Sequence, residues 1–227
     1  MKVPLTAEPE AIAFDPQQSA VIVIDMQNYD CKPGGFFDLV GTDFTHGQKV
    51  IQPIKRVLEH ARQAKVPVIY TEVVLPADRR LWPNEDSPWY RKANPRQWAG
   101  DPELEKGLGI DGTWGAQTVD ELQPTPIDYV IKKQTYSGFV NTDLDVVLRR
   151  LGVRYLFFTG IGTPTCVEAT ARDAYFREYW PILISDCCSA ILPETHEQAL
   201  FAIKRRYGWV STADAFLKAL ALQAGER

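Results

Sequence analysis

A three-layer α/β/α arrangement around a six-stranded parallel sheet is the fold class the sequence predicts. Two observations carry that prediction. Short aliphatic runs such as Ser-Ala-Val-Ile-Val-Ile at 19–24 lack the alternation of a half-exposed strand, so they read as strands buried on both faces. Stretches of helical period lie between them, and strands alternating with helices build parallel sheets. The 227 residues suffice for a sizeable core. With no internal repeat or low-complexity linker, one domain over 1–227 is the simplest organisation.

Residues 1–18 are polar and proline-bearing, an expected surface arm. The first strand follows at 19–25 and ends in Asp25. Residues 27–45 read as loop, with Pro33-Gly34-Gly35 the strongest turn signal. A helix fits 47–65, where Val50, Ile51, Ile54, Val57, Leu58 and Ala61 keep the helical period. A second strand spans 66–74. Residues 75–127 form an irregular insertion rich in Pro, Gly and Trp, including Trp82, Trp89, Tyr90, Trp98 and Trp114. A segment this long is expected to carry short elements and to serve as a lid or an oligomer contact, with one or two of its aromatics lining a pocket. A third strand fits 128–132, with Lys133 just past its end. Then come a helix at 141–151, a strand at 153–159, a helix at 165–178, a strand at 180–186, a helix at 193–207, a short strand at 209–211 and a closing helix at 213–223.

Composition narrows the function classes. A hydrophobic fraction of 45% and a charged fraction of 24% are those of an ordinary globular protein. The net charge of −4 argues against a nucleic-acid binder, and Lys204-Arg205-Arg206 reads as the solvated end of a helix. No run approaches a membrane span, and residues 1–10 have no signal-peptide pattern. The four cysteines, Cys31, Cys166, Cys187 and Cys188, show neither zinc-ligand nor disulfide spacing. A reduced, cytoplasmic protein without nucleic-acid or membrane partners is expected.

The stretch from Tyr155 to Arg172 begins as an aromatic strand, breaks at Gly160 and Gly162, and offers helix-start chemistry at Pro164 and Thr165. Cys166 stands at that junction. There the unpaired N–H groups and the positive end of the helix dipole favour thiolate and could hold an oxyanion. The alternative is a buried structural cysteine. Ligands of open parallel sheets bind beyond the carboxyl ends of the strands, and Asp25, Lys133 and Cys166 all fall there. Singly, each has a bland reading: a turn-forming Asp, a solvated Lys (with Lys132 an equally placed rival), a core Cys. Together they supply a proton acceptor, a fixed positive charge and a nucleophile, the parts of acyl transfer through a thioester.

The runs Val-Ile-Asp-Met-Gln-Asn at 23–28, Lys133 and Thr-Gly-Ile-Gly-Thr-Pro-Thr-Cys-Val at 159–167 resemble the isochorismatase-like cysteine hydrolases, which include nicotinamidase, N-carbamoylsarcosine amidohydrolase, biuret hydrolase and ureidoacrylate amidohydrolase. The resemblance spans about 14–216. It implies a sheet in the order 3-2-1-4-5-6, and Cys166 implies the amide-cleaving branch. Phe-Asp-Pro-Gln-Gln-Ser-Ala at 14–20, Pro-Gly-Gly-Phe-Phe-Asp-Leu at 33–39 and Tyr-Ser-Gly-Phe-Val-Asn-Thr at 136–142 are similar to ureidoacrylate amidohydrolases of pyrimidine degradation, with Tyr-Gly-Trp-Val-Ser at 207–211 a weaker match.

By that resemblance Cys166 is the nucleophile, Asp25 the general base and Lys133 the electrostatic partner. The N–H groups of Gly162 and Cys166 form the oxyanion hole, with a cis peptide just before Gly162. Gln27, Glu72, Tyr136 and Phe139 are candidate substrate-binding residues. The chain departs from the pattern at Pro164, where relatives carry Asp or Asn, and in the loop Tyr29-Asp30-Cys31 and the segment 75–98. Those departures leave biuret, triuret or another N-carbamoyl compound as alternative substrates. A redox-responsive thiol or ligand-binding protein on the same fold, or reactive thiols at Cys187-Cys188, are the readings outside catalysis.

Relatives that bind zinc do so through an Asp and two closely spaced His after the second strand. Here Tyr70-Thr71-Glu72-Val73-Val74 has no neighbouring histidine, and His46, His60 and His196 are scattered, so no metal or other cofactor is expected. The expected partners are a small ureido or amide substrate and further copies of the chain, as a homodimer or homotetramer.

Overall fold

The computed structural model describes residues 1–92 and 100–225. Its strands are β1 (Val3–Leu5), β2 (Ile12–Phe14), β3 (Ser19–Ile24), β4 (Val68–Val73), β5 (Tyr129–Lys133), β6 (Tyr155–Ile161), β7 (Trp180–Ser189) and β8 (Trp209–Ser211). The helices are α1 (Asn28–Cys31), α2 (Phe36–Leu39), α3 (Thr45–Gln63), α4 (Pro88–Lys92), α5 (Pro102–Glu105), α6 (Leu144–Arg150), α7 (Glu168–Phe176), α8 (Pro193–Arg206) and α9 (Ala213–Gly225).

The last six strands form one parallel sheet in the order β5-β4-β3-β6-β7-β8, which is the expected 3-2-1-4-5-6. Alternate residues of β3 feed two cores. Val21 and Val23 pack with Ile54, Leu58 and Phe216 of α3 and α9, whereas Ala20, Ile22 and Ile24 pack with Leu144, Ala171 and Ile203 of α6, α7 and α8. Burial on both faces explains the unbroken aliphatic runs. The N-terminal arm is a short antiparallel hairpin, β1 with β2. Glu8 of the arm exchanges backbone hydrogen bonds with Val210 of β8.

Strand order reverses at the centre, where β3 has β4 on one side and β6 on the other. Chains leaving the carboxyl ends of these two strands diverge to opposite faces and open a crevice. Gly160 sets how closely the pair approaches. Its φ is +110°, and a Cβ there would lie 2.0 Å from the Ile24 carbonyl oxygen. Gly160 therefore lies inside β6 rather than breaking it, and the strand runs on to Ile161.

Several further element boundaries differ from the sequence reading. Residues 27–45 contain the one-turn helices α1 and α2, too short to show a period. Lys133 is the last residue of β5, paired with Val73. Helix α6 starts three residues late, after Asn141 in left-handed conformation (φ 57°). Strand β7 takes in Cys187 and Cys188. Among the described residues of the irregular insertion, α4, α5 and a turn of 3-10 helix at Asp120–Leu122 are the short elements, and Leu104 and Leu108 pack with Phe36 in a satellite core. Trp82 packs against that cluster and donates its indole N–H to Pro76 O at 2.8 Å. Trp98 lies outside the described residues.

Candidate active site

Asp25, Lys133 and Cys166 come together at the reversal point, and all three are buried. Asp25 directly follows β3 with a φ of 53°, a conformation that aspartate tolerates better than most residues. That turn is held by its own N–H donating to Thr71 O at 3.0 Å and by its carbonyl receiving Gln27 N–H at 2.8 Å. Lys133 Nζ donates to Asp25 Oδ2 at 2.7 Å and to Thr135 O at 3.0 Å, and lies 3.5 Å from Cys166 Sγ. Thr71, opposite Ile24 across the β3–β4 pair, donates its hydroxyl to Asp25 Oδ1 at 2.9 Å. Lys132, the rival position, points outward to Asp111 at 2.6 Å.

Cys166 sits in a π-helical turn, Thr163–Val167, that precedes α7, so it is not in the first turn of an α-helix. Pro164 occupies the start of this turn, where its missing N–H costs nothing. The Ile161–Gly162 peptide is cis. Among the described residues the Gly162 N–H has no acceptor, while Gly162 O receives the N–H groups of Thr165 (3.0 Å) and Val167 (3.2 Å). An N–H left open beside a cysteine is the geometry an oxyanion requires.

The electrostatics differ from the expected thiolate. Burial pushes the Cys166 thiol up; Lys133 opposes this, and the Asp25 charge and hydrogen bond reinforce it. Burial alone would depress Lys133, yet Asp25 and Cys166 outweigh it and hold the ammonium above the ordinary lysine range. These directions favour an ion pair beside a protonated thiol rather than a thiolate. Cys187 and Cys188 are buried in the core, and burial pushes both thiols up as well.

The four candidate substrate residues divide. Tyr136 is 45% exposed and stacks on Trp89 of α4 at 5.2 Å; burial and then Cys166 push its phenol up, with Lys133 opposing. It is the most exposed of the four. Glu72 accepts from the Thr118 hydroxyl at 2.8 Å, and burial raises its carboxyl. Gln27 is a clamp: its amide nitrogen donates to Val73 O and Ala116 O, and its amide oxygen accepts from Val73 N. Phe139 is buried, stacked on Tyr179 at 6.0 Å. Its loop is tied to α7 through Gly138 N to Thr170 Oγ1 and Ser137 Oγ to Asp173. An open recess of about 760 Å³ bordered by Pro76, Arg80, Leu81 and Asp111 contains none of these residues.

Thr71, Trp89 and Asp30 are the neighbours that residue type alone did not single out as site residues. The register between β3 and β4 would have pointed to Thr71. Asp30, in α1 and in the loop where the chain departs from the family pattern, lies within reach of the charges of Asp25 and Lys133.

The histidines do not converge. His46 Nδ1 meets Asp43 O, His60 Nδ1 meets Arg56 O, and His196 Nδ1 meets Thr163 Oγ1, each at 2.8 Å. Among the described residues no group of three or more His, Cys, Asp or Glu is arranged to hold a metal ion.

The isochorismatase domain model matches residues 19–215. Among solved structures, a cysteine hydrolase from Pseudomonas syringae pv. phaseolicola 1448A is 29% identical, covers 98% of this chain and 99% of its own, and superposes with a TM-score of 0.76. N-carbamoylsarcosine amidase from Thermoplasma acidophilum is 25% identical over 87% of this chain and 97% of its own, with a TM-score of 0.65. A pyrazinamidase of Pyrococcus horikoshii in complex with zinc is 25% identical over 86% of this chain and 99% of its own, with a TM-score of 0.66.

Proposed function

The chain belongs to the isochorismatase family and is a hydrolase, and from that premise we propose that it is a metal-independent cysteine amidohydrolase acting on a small ureido or carbamoyl compound. Ureidoacrylate is the substrate nominated by the sequence resemblance, and biuret or another N-carbamoyl compound is the alternative. The observation that carries the reading is the chain of contacts Asp25 Oδ2–Lys133 Nζ–Cys166 Sγ at 2.7 and 3.5 Å, buried at the carboxyl edge of the sheet.

In the proposed reaction Cys166 Sγ attacks the carbonyl carbon while its proton passes to Asp25 Oδ. The oxyanion rests on the N–H groups of Gly162 and Cys166, each worth about 10²–10³ in rate. As the tetrahedral species collapses, the C–N bond breaks and Asp25 returns the proton to the leaving nitrogen. A water then gives a proton to Asp25 and attacks the thioester or thiocarbamate carbon; the C–S bond breaks and the thiol is re-formed. Lys133 stays charged throughout, holding Asp25 in place and steadying the sulfur as it gains charge.

Ammonia release from a panel of ureidoacrylate, biuret, triuret and N-carbamoyl amino acids tests this reading. Turnover should fall below about 1% in Cys166→Ala. Activity retained in that variant would exclude the scheme. We further propose a homodimer or homotetramer, supported by the exposed aromatics Tyr175, Phe176 and Phe201 on α7 and α8.

A further inference from the structure

Asp25 and two carboxyl groups within reach of its charge, Glu72 and Asp30, cluster here, and two of the three have evident partners. Asp25 is bound by Lys133 and Thr71, and Glu72 by Thr118. The third is Asp30, five residues after Asp25 on the short helix α1. Among the described residues no hydrogen bond or ion pair holds its side chain. The side chain is half-buried, and the charges of Asp25, Lys133 and Cys166 all lie within its electrostatic reach. It thus belongs to the same cluster of charges while still meeting solvent.

Leaving a carboxyl in such a place without a partner is costly. Burial, then the Asp25 charge, pushes Asp30 well above the usual carboxylate range, with Lys133 opposing. Its neighbours Asn28 and Cys31 are the structural members of this helix: Asn28 Nδ2 donates to Trp114 O at 2.9 Å, and Cys31 is fully buried. Asp30 holds up nothing, and the reaction as drawn does not use it. What it presents to a bound molecule is a hydrogen-bond acceptor of negative or easily negative character. Tyr136, stacked on Trp89, lies within reach of the Cys166 and Lys133 charges of the same site.

Resting on the amidohydrolase reading, we propose that Asp30 sets the charge preference of the site: its carboxyl receives the N–H groups of an uncharged ureido substrate such as biuret and disfavours substrates that carry a carboxylate, such as ureidoacrylate. An uncharged ureido compound offers donors at both ends, so one end can meet Asp30 while the carbonyl meets the Gly162 N–H. A carboxylate in the same place would meet like charge in a poorly screened site.

The test compares wild type, Asp30→Asn and Asp30→Ser in two ways. The first is the ratio of kcat/KM for biuret over ureidoacrylate. The second needs no turnover: the ratio of Cys166 alkylation rates with neutral iodoacetamide and anionic iodoacetate, read on the Cys166 peptide by mass spectrometry. Both ratios should fall about tenfold when the carboxyl is removed, since one unit charge within ~10 Å at an effective dielectric near 20 has that effect. A fall of less than about threefold in the alkylation ratio of the folded variants overturns the role of Asp30, because a merely structural change would alter both reagents alike. If the wild type hydrolyses no compound in the panel, the amidohydrolase reading fails, and the alkylation ratio still decides the role of Asp30.

Discussion

Lys133 Nζ lies 2.7 Å from Asp25 Oδ2, with the two side chains 0% and 3% exposed. Such a pair is bound by its own attraction and by the bonds to Thr71 and Thr135, against a large desolvation cost. Breaking one half leaves a buried charge without a partner. Lys133→Met should therefore destabilise the protein by about 3–5 kcal/mol in urea titrations.

The pH dependence of that loss follows from the Lys133 ammonium. Its folded pKa lies above the ordinary lysine value of 10.5, so its contribution is fully present below that value. It disappears as pH rises through the folded pKa, because there the unfolded chain has already lost the proton that the folded state still holds. The gap between wild type and Lys133→Met should be level from neutral pH to the lysine range and close above it. A gap that widens on raising pH would contradict the pairing.

Gly160 carries a different prediction. Alanine there would bring its Cβ to 2.0 Å from a backbone oxygen of the neighbouring strand, at a φ of +110°. Neither strand can yield without opening the sheet at its centre. Gly160→Ala should cost more than about 3 kcal/mol, enough to deplete soluble protein. Gly152 also has positive φ, at +67°, but a Cβ there meets nothing within 4 Å. Gly152→Ala should cost only about 1 kcal/mol, the strain of left-handed backbone alone. Similar melting temperatures for the two variants would refute the close-approach argument.

Thr71→Val removes the donor to Asp25 Oδ1 while keeping side-chain volume. A hydrogen bond to a charged acceptor is worth about 1.5–3 kcal/mol, so stability should drop by that order. As a positioning residue Thr71 acts through Asp25, so kcat should fall about tenfold with KM little changed. Thr71→Ser should restore both. A rise in KM alone would mean that Thr71 touches substrate instead.

How far the chain could be read without coordinates depends on what kind of order each residue obeys. Strands β3 and β6 were legible because burial on both faces leaves unbroken apolar runs, and the convergence of Asp25, Lys133 and Cys166 was legible because all three fall at carboxyl ends of strands. Thr71 was not, since its role comes from the register that sets it opposite Ile24, which spacing does not encode. Asp30 sits in a helix of four residues, too short for any periodicity. Gly160 read as the end of a strand because glycine usually interrupts one; here its positive φ lets the strand continue against a neighbour. The π-helical turn at 163–167 was likewise invisible, since a π turn and an α-helical start share their residue preferences.

Asp30 should destabilise the folded protein at neutral pH. Its carboxyl is raised well above the ordinary 3.8 by burial and by Asp25. Below that value both states are protonated and the group is neutral in its effect. Above it the unfolded chain ionises first, so the folded state binds more protons and stability declines as pH rises towards the folded pKa. Asp30→Asn should melt higher than wild type at pH 7.5, with the two curves converging near pH 3.5. An Asn variant that melts lower at pH 7.5 would show that the carboxylate is held by a favourable contact.

The division of labour between Asp25 and Cys166 can be tested by making two readouts move in opposite directions. Burial and Asp25 keep the Cys166 thiol protonated, against the pull of Lys133. Asp25→Asn removes the carboxylate and leaves Lys133 facing the sulfur, so the thiol should ionise more readily. Iodoacetamide should then modify Cys166 about tenfold faster at pH 7.5. Hydrolysis, in which the proposed scheme has Asp25 accept the thiol proton and return it to the leaving nitrogen, should fall about 10²–10⁴-fold in the same variant. Simple structural damage would move both together. Slower alkylation alongside slower hydrolysis would therefore mean that Asp25 serves to form the thiolate in the resting enzyme, and that the neutral-thiol mechanism is wrong.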